Sequence, residues 1–229
     1  IQSATGSGKT ALAAYMIARA AERGRRAWFL CHRDFLLTQT SAALDAAGVP
    51  HGFVAAGREF NPYQRVAVCS VDTLRRRLDR LTPPDLIIWD EAHHTGAKTW
   101  SGVYAWAGDK CRHVGLSATP ARLDGRGLDK HFGAIVNGPT VAWLIARNYL
   151  SRYRAFAPSA PDLGSVGRRG GDYAADQLAG VMDTGQIAGN IVGTYKTYAS
   201  GKKAIYYAVS VDHSNHIAAA FRSSGVYAR

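Results

Sequence analysis

The run Ala4-Thr5-Gly6-Ser7-Gly8-Lys9-Thr10 stands directly before a helix-forming segment, and those residue types in that order suit phosphate. Glycines at 6 and 8 let backbone N–H groups converge on phosphate oxygens, and the helix start adds the positive end of its dipole. Lys9 reaches the β- and γ-phosphates, Thr10 offers a hydroxyl to Mg²⁺, and Thr5 and Ser7 complete the loop. The departure from G-x-x-x-x-G-K-[ST] is Ser3 at the first position. A second run, Asp90-Glu91-Ala92-His93, follows the apolar stretch Leu86–Trp89. A carboxylate at the end of a parallel strand projects into the crevice where nucleotides bind in open α/β sheets. There Asp90 would hold Mg²⁺ and Glu91 would orient and deprotonate an attacking water, two separate tasks that phosphoanhydride hydrolysis needs beside Lys9. The third run, Ser117-Ala118-Thr119-Pro120, again follows a predicted strand and places small hydroxyls where they could hydrogen-bond His93.

Such residues need a scaffold that brings strand ends side by side. Thr10–Arg23 is rich in Ala, Leu, Met and Arg and closes on Gly24, which predicts a helix with a glycine stop. Ala27–Leu30 predicts a buried strand, and Phe35–Ala47, with Leu36, Leu37 and Leu44 on a helical period, predicts a second helix ended by Gly48 and Pro50. The alternation continues through strand Val66–Ser70, helix Asp72–Arg80, strand Leu86–Trp89, strand His113–Leu116 and helix Val141–Arg147. Nearly all-apolar strands between helices predict an α/β fold, its parallel sheet covered on both faces. After a strand-like run at Arg152–Phe156, the Pro-, Gly- and Ser-rich stretch 158–171 reads as a linker or mobile loop. Helix Gln186–Tyr198, strand Ala204–Val211 and helix Asn215–Ser223 then read as the start of a second α/β unit. The expected organisation is a first domain over 1–157, a linker over 158–183 and part of a second domain over 184–229.

The 229 residues are 47% hydrophobic and 20% charged, which argues against wholesale disorder or a fibrous repeat. No apolar run approaches the roughly 18 residues of a membrane span, and the first residues lack the order of a secretory signal, so a soluble, cytoplasmic protein is expected. Cys31, Cys69 and Cys111 form no C-x-x-C pair, and His94 beside His93 lacks a third ligand at suitable spacing, so His94 reads as a surface or loop residue. Against 17 Asp plus Glu stand 28 Lys plus Arg, a net charge of +11 that clusters in Arg75-Arg76-Arg77, Arg168-Arg169 and Lys202-Lys203. Clustered positive charge points to a polyanionic partner, although Arg75–Arg77 reads equally as a solvated helix face. Trp100 and Trp106 read as packing for a helix between the second and third motifs, with base stacking as the lesser alternative.

In this order ATGSGKT, DEAH and SAT resemble motifs I, II and III of the superfamily 2 helicases and translocases, the DEAD/DEAH-box group. HRDFLLTQT at 32–40 resembles motif Ia and SVDTLRRR at 70–77 resembles motif Ib, both of which contact the nucleic-acid backbone in that family. GLSATPARLDGRGL at 115–128 is similar to the motif III segment of restriction-enzyme and repair-type motors, and AIYYAVSVDHSNHIAAAF at 204–221 looks like motif IV. The resemblance implies a RecA-like domain lacking its first strand, plus the beginning of a second RecA-like domain. It implies ATP and Mg²⁺ as cofactors, nucleic acid as partner with DNA favoured over RNA, no membrane, and a nuclease or methyltransferase in the larger protein. It places catalysis on Lys9, Glu91 and His93, phosphate binding on Thr5, Gly6, Ser7, Gly8, Lys9 and Thr10, and metal binding on Thr10 and Asp90. Coupling falls to Ser117 and Thr119, and nucleic-acid contact to Arg33, Thr73, Arg75 and Arg76. The family also carries an adenine-recognition segment upstream and arginine fingers downstream of the stretch seen here, so this length is expected to turn over ATP poorly by itself. The implied activity is movement along, or unwinding of, nucleic acid driven by ATP hydrolysis. The alternatives are an ATP-switched remodelling module without processive movement and, more distantly, a small-molecule kinase.

Overall fold

Five short apolar runs form one parallel sheet in the computed structural model, which describes residues 1–95, 98–120, 127–156, 162–169 and 172–229. The chain divides into two units, Ile1–Tyr153 and Arg154–Arg229. In the first, α1 spans Lys9–Glu22, β1 Ala27–Cys31, α2 Asp34–Ala46, β2 Gly52–Val54, β3 Val66–Ser70, α3 Val71–Arg75, β4 Leu86–Asp90, α4 Lys98–Ala107, β5 Arg112–Leu116 and α5 Val141–Ala146. The strand order is β2-β3-β1-β4-β5, and every pairing is parallel. Cys31 lies opposite Ser70, and Trp89 lies opposite both Leu30 and Gly115, so the C-terminal ends of β3, β1, β4 and β5 share one edge. This is the α/β class with a parallel central sheet that the strand–helix alternation predicts.

Side chains alternate across the sheet with the period of two that strands impose. Phe29, Val68, Ile88 and Leu116 face Ala13 and Ile17 of α1 and Leu37 and Leu44 of α2. Trp28, Leu30, Ile87 and Trp89 face Leu74 of α3 and Trp100 and Val103 of α4. Each such side chain contributes about 1.5–3 kcal/mol when fully buried, which is why uninterrupted apolar strands are stable only between two helical layers. Trp100 is buried, and Trp106 stacks on Trp28 with ring centroids 5.9 Å apart, the packing role the sequence favours. The helix predicted over Asp72–Arg80 instead breaks after Arg75 and resumes as a 3-10 turn at Leu78–Arg80. Leu78 and Leu81 both pack against the second face of the sheet, and their spacing of three suits the tighter turn. The short β2, with a glycine at its start, escaped prediction.

The second unit contains an antiparallel pair, β6 at Arg168–Arg169 and β7 at Asp172–Tyr173, followed by α6 at Ala175–Met182, α7 at Gly185–Tyr198 and α8 at Val211–Ser223. Val192, His213 and Ile217 are among its buried residues. The strand expected at Ala204–Val211 does not form: Ile205 and Tyr207 are exposed, and Val211 already begins α8, capped by Ser210 Oγ accepting from His213 N at 3.1 Å. A strand needs a neighbour for its backbone groups, and no described strand of this unit pairs with that segment. Arg152–Phe156 likewise forms no strand. Residues 158–161, 170 and 171 of the expected linker lie outside the described residues. None of the described helices is long and apolar enough to cross a membrane.

Candidate nucleotide site at the strand ends

Gly6 and Gly8 adopt φ values of 76° and 87°, in the left-handed region open to glycine, and Gly8 caps α1. Ser3 Oγ and Ser7 Oγ lie 2.6 Å apart across the base of the loop. Lys9 Nζ donates to the carbonyls of Ser3 and Ala4, each at 3.1 Å, so the ammonium is held in the mouth of the loop. Backbone bonds fasten the approach to the loop on both sides. Ser3 N donates to Ser117 O at 3.0 Å and Ser117 N to Ile1 O at 3.1 Å. Gln2 N donates to Val136 O at 2.9 Å, and Gly138 N to Gln2 O at 2.7 Å. Gln2 thereby makes parallel bridges to both Ser117 and Asn137.

Asp90 ends β4. Burial and then the Glu91 charge push its carboxyl above the usual carboxylate range, opposed by the Glu91 N–H, Lys9 and His32. Lys9 and Asp90 therefore feel each other across the loop mouth. Glu91 turns the chain out of the sheet with φ 49° and ψ 52°, a left-handed conformation that costs a non-glycine residue about 1–3 kcal/mol and recurs at functional sites. Its Oε2 lies 3.4 Å from His93 Nδ1, and that nitrogen lies 3.1 Å from Ser117 Oγ. Ser117 Oγ donates to Thr119 O at 2.9 Å and accepts from Thr119 N at 3.1 Å. With the hydroxyl hydrogen committed to Thr119 and the carboxylate able only to accept, the network assigns a proton to His93 Nδ1. Buried Ser117 thus ties the phosphate-loop approach through its backbone to His93 through its side chain. Behind this layer Trp89 Nε1 donates to His113 Nδ1 at 3.1 Å, and burial pushes the His113 imidazole below its ordinary value.

The donors fit Mg²⁺. Thr10 and Asp90 offer hard oxygen ligands, and among the described residues no group of three or more His, Cys, Asp or Glu could hold a metal. Mg²⁺ is commonly held by one or two protein oxygens with phosphate and water completing the shell.

Arg33 caps α2 after β1, while Thr73 and Arg75 lie in α3 and Arg76 at its end, after β3. β1 and β3 are neighbours, so both groups follow adjacent strand ends; Arg33, Arg75 and Arg76 are exposed and Thr73 is half-buried. Arg77 differs, its guanidinium lying over the Phe60 ring at 4.6 Å. His94 is half-buried rather than on a loop surface, packed against His93 at 4.3 Å, His32 at 5.2 Å and Trp100 at 5.9 Å between ring centroids. Burial, followed by the His93 and His32 charges, lowers its pKa. A cavity of about 850 Å³ opens beside β5 between Tyr104, His113, Leu128 and Phe132, and neither Lys9 nor Asp90 lines it. The candidate chemistry sits at the strand-end edge instead. Sequence reasoning missed the wall that residues 138–150 build along the loop, whose only sequence signal is aromatic and basic residues alternating after Asn137.

A phosphate loop and paired carboxylates at the ends of a parallel sheet define a nucleotide-binding α/β domain. The family model described as "Type III restriction enzyme, res subunit" matches residues 1–122, and the chain belongs to that family. A 51.5 kDa protein of a Lactococcus phage (isolate 7-9) is 33% identical over 228 residues, covering 100% of this chain and 47% of that protein. IRC3 of Saccharomyces cerevisiae, a candidate ATP-dependent helicase, is 30% identical over 173 residues, 70% of this chain and 25% of that protein. The chain therefore spans less than half the length of either relative. Among solved structures, yeast Dbp5 L327V bound to RNA and ADP BeF3 has a TM-score of 0.45 at 17% identity over 52% of this chain and 35% of that one. The UvsW helicase of bacteriophage T4 has a TM-score of 0.44 at 15% identity, over 52% of this chain and 46% of that one.

Proposed function

We propose that this chain is the nucleotide-binding portion of an ATP-dependent nucleic-acid helicase or translocase, acting on DNA rather than RNA. The observation that carries the proposal is Lys9, held in the loop mouth within electrostatic reach of Asp90, with Glu91 and His93 on the same turn and His93 hydrogen-bonded to Ser117. Residues Thr5 to Thr10 cradle the β- and γ-phosphates, Lys9 exchanging its two carbonyl partners for phosphate oxygens. Thr10 and Asp90 would hold Mg²⁺, which would supply charge neutralisation at the phosphates. Glu91 orients the attacking water and takes its proton, while His93 holds the carboxylate side in register with Ser117 and Thr119. Arg33, Thr73, Arg75 and Arg76 contact the nucleic-acid backbone from the neighbouring strand ends. A nuclease or methyltransferase in the larger protein fits the family's restriction-enzyme designation, and the second unit reads as the start of a second RecA-like domain.

The test has two parts. Nucleic-acid affinity of the chain should fall with salt by about 0.7–0.9 in log Kd per log salt for each phosphate contacted, and Arg75→Ala should lower that slope. In the whole protein, Glu91→Gln should bind Mg-ATP and nucleic acid yet lose turnover. Equal loss of binding and hydrolysis would make Glu91 structural and remove the mechanism. ATP-dependent strand displacement identifies a motor, whereas ATP-dependent change in affinity without displacement identifies a switch.

A further inference from the structure

A nucleotide whose β- and γ-phosphates face Lys9 and Asp90 must direct its base elsewhere. The order across this edge runs β4, β5, Gln2, Asn137, so the segment after Asn137 borders the loop on the flank away from the carboxylates. It touches the loop closely. A Cβ on Gly138 would sit 2.7 Å from Ser3 Oγ, and a Cβ on Gly6 would sit 2.9 Å from Leu150 Cδ2. Beyond α5 the chain reverses at Asn148, φ 61°, with Tyr149 N and Leu150 N both donating to Leu144 O at 2.9 and 3.2 Å. Leu144 is the buried anchor of this turn. The reversal lays Tyr149 beside Trp143, their rings 8° from parallel with centroids 6.0 Å apart, and Arg147 covers Trp143 at 4.5 Å. Trp143 is 42% and Tyr149 68% exposed, an unusual outlay of aromatic surface on a braced, cation-backed turn next to a phosphate loop.

We infer that Tyr149, braced by Trp143 and Arg147, is the stacking platform for the purine base of the nucleoside triphosphate held by the phosphate loop. The inference rests on the nucleotide-binding reading of that loop and adds base recognition to it. Purines cover more of a tyrosine face than pyrimidines do, and stacking reads ring area rather than the hydrogen-bonding edge, so this platform by itself accepts ATP and GTP alike and disfavours CTP.

The chain of residues 1–229 is titrated with the Mg²⁺ complexes of ATP, GTP, CTP and inorganic tripolyphosphate, following tryptophan emission and, in parallel, heat. ATP and GTP should bind roughly tenfold tighter than tripolyphosphate, within the range that one base–aromatic stack contributes. Tyr149→Ala should bring ATP to the tripolyphosphate level and leave tripolyphosphate affinity unchanged, while Tyr149→Phe keeps the preference. Trp143→Phe should lose the emission change on ATP binding. Equal affinity for ATP and tripolyphosphate in the unmodified chain overturns the inference and leaves the phosphate loop standing. A parallel loss of both ligands in Tyr149→Ala overturns it too, since the residue would then merely support the fold. If neither ligand binds the unmodified chain, the phosphate-loop reading falls and the inference falls with it. If Tyr149→Ala weakens a single-stranded oligonucleotide and not ATP, the platform belongs to nucleic acid and the inference is wrong.

Discussion

The two flanks of the phosphate loop are built on opposite principles. On one side Asp90, Glu91, His93 and Ser117 sit at the ends of buried strands, with distances of 2.9–3.4 Å among Glu91, His93, Ser117 and Thr119. On the other side Trp143, Arg147 and Tyr149 ride on a short helix and its reversal, braced by ring contacts and largely open to solvent. Groups that move protons and hold metal need fixed geometry, and strand ends in a packed sheet supply it. A platform that meets a flat ring needs area and tolerates offset. On the proposed reading, the difference teaches that one loop can join a rigid chemical face to a more permissive recognition face.

The harshest way to break this comparison is to remove what both flanks share. Lys9→Ala should weaken Mg-ATP and tripolyphosphate together by roughly 100-fold, the upper part of the range for a hydrogen bond to a charged group, as read by calorimetry on the chain. A variant that binds both normally would separate the loop from phosphate altogether. Next in size is the junction between the flanks. Gly6→Ala forces a side chain into φ 76° and into the space of Leu150, and should cost about 1–3 kcal/mol of stability and a matching loss of ATP affinity. Leu150→Ala in the same chain should restore part of that loss; strict additivity in the double-mutant cycle would show that the two residues do not meet.

Smaller effects belong to the chemical flank alone. At Glu91, with φ 49°, Gly should be more stable than Ala by about 1 kcal/mol in urea midpoint at constant slope, because only glycine adopts that backbone without penalty. The reverse order would mean the turn relaxes when the carboxylate is gone. The smallest effect is one of pH. His113 and His94 have folded pKa values below their ordinary 6.5, so the unfolded chain binds more protons as pH falls through that value. Stability should therefore be full above about pH 7 and decline between the unfolded value near 6.5 and the lower folded values. His113→Gln, which can keep an acceptor for Trp89 Nε1, should flatten part of that decline; an unchanged pH profile would place the titration elsewhere.

Much of the first unit was legible because its determinants are local. Gly6 and Gly8 announce left-handed backbone, the apolar runs at Ala27, Val66 and Leu86 need burial on both faces, and a carboxylate pair after a buried strand has one edge on which to emerge. Arg75, Arg76 and Arg77 are indistinguishable as sequence, yet tertiary packing exposes two and lays the third on Phe60. His94 looked like a loop residue because its partners His32 and Trp100 come from other elements, and no local pattern encodes that meeting. The segment Ala204–Val209 has strand-forming side chains and forms no strand, since β structure is completed by hydrogen bonds from a neighbour that sequence pattern does not supply. By itself, then, the sequence determined the phosphate loop, the alternation of strands and helices and the acidic turn, all set by sterics and burial within a few residues of chain. Only the tertiary structure decided that Ser117 would clasp both the loop approach and His93, and that Leu150 would close on Gly6, because those contacts join residues far apart in sequence.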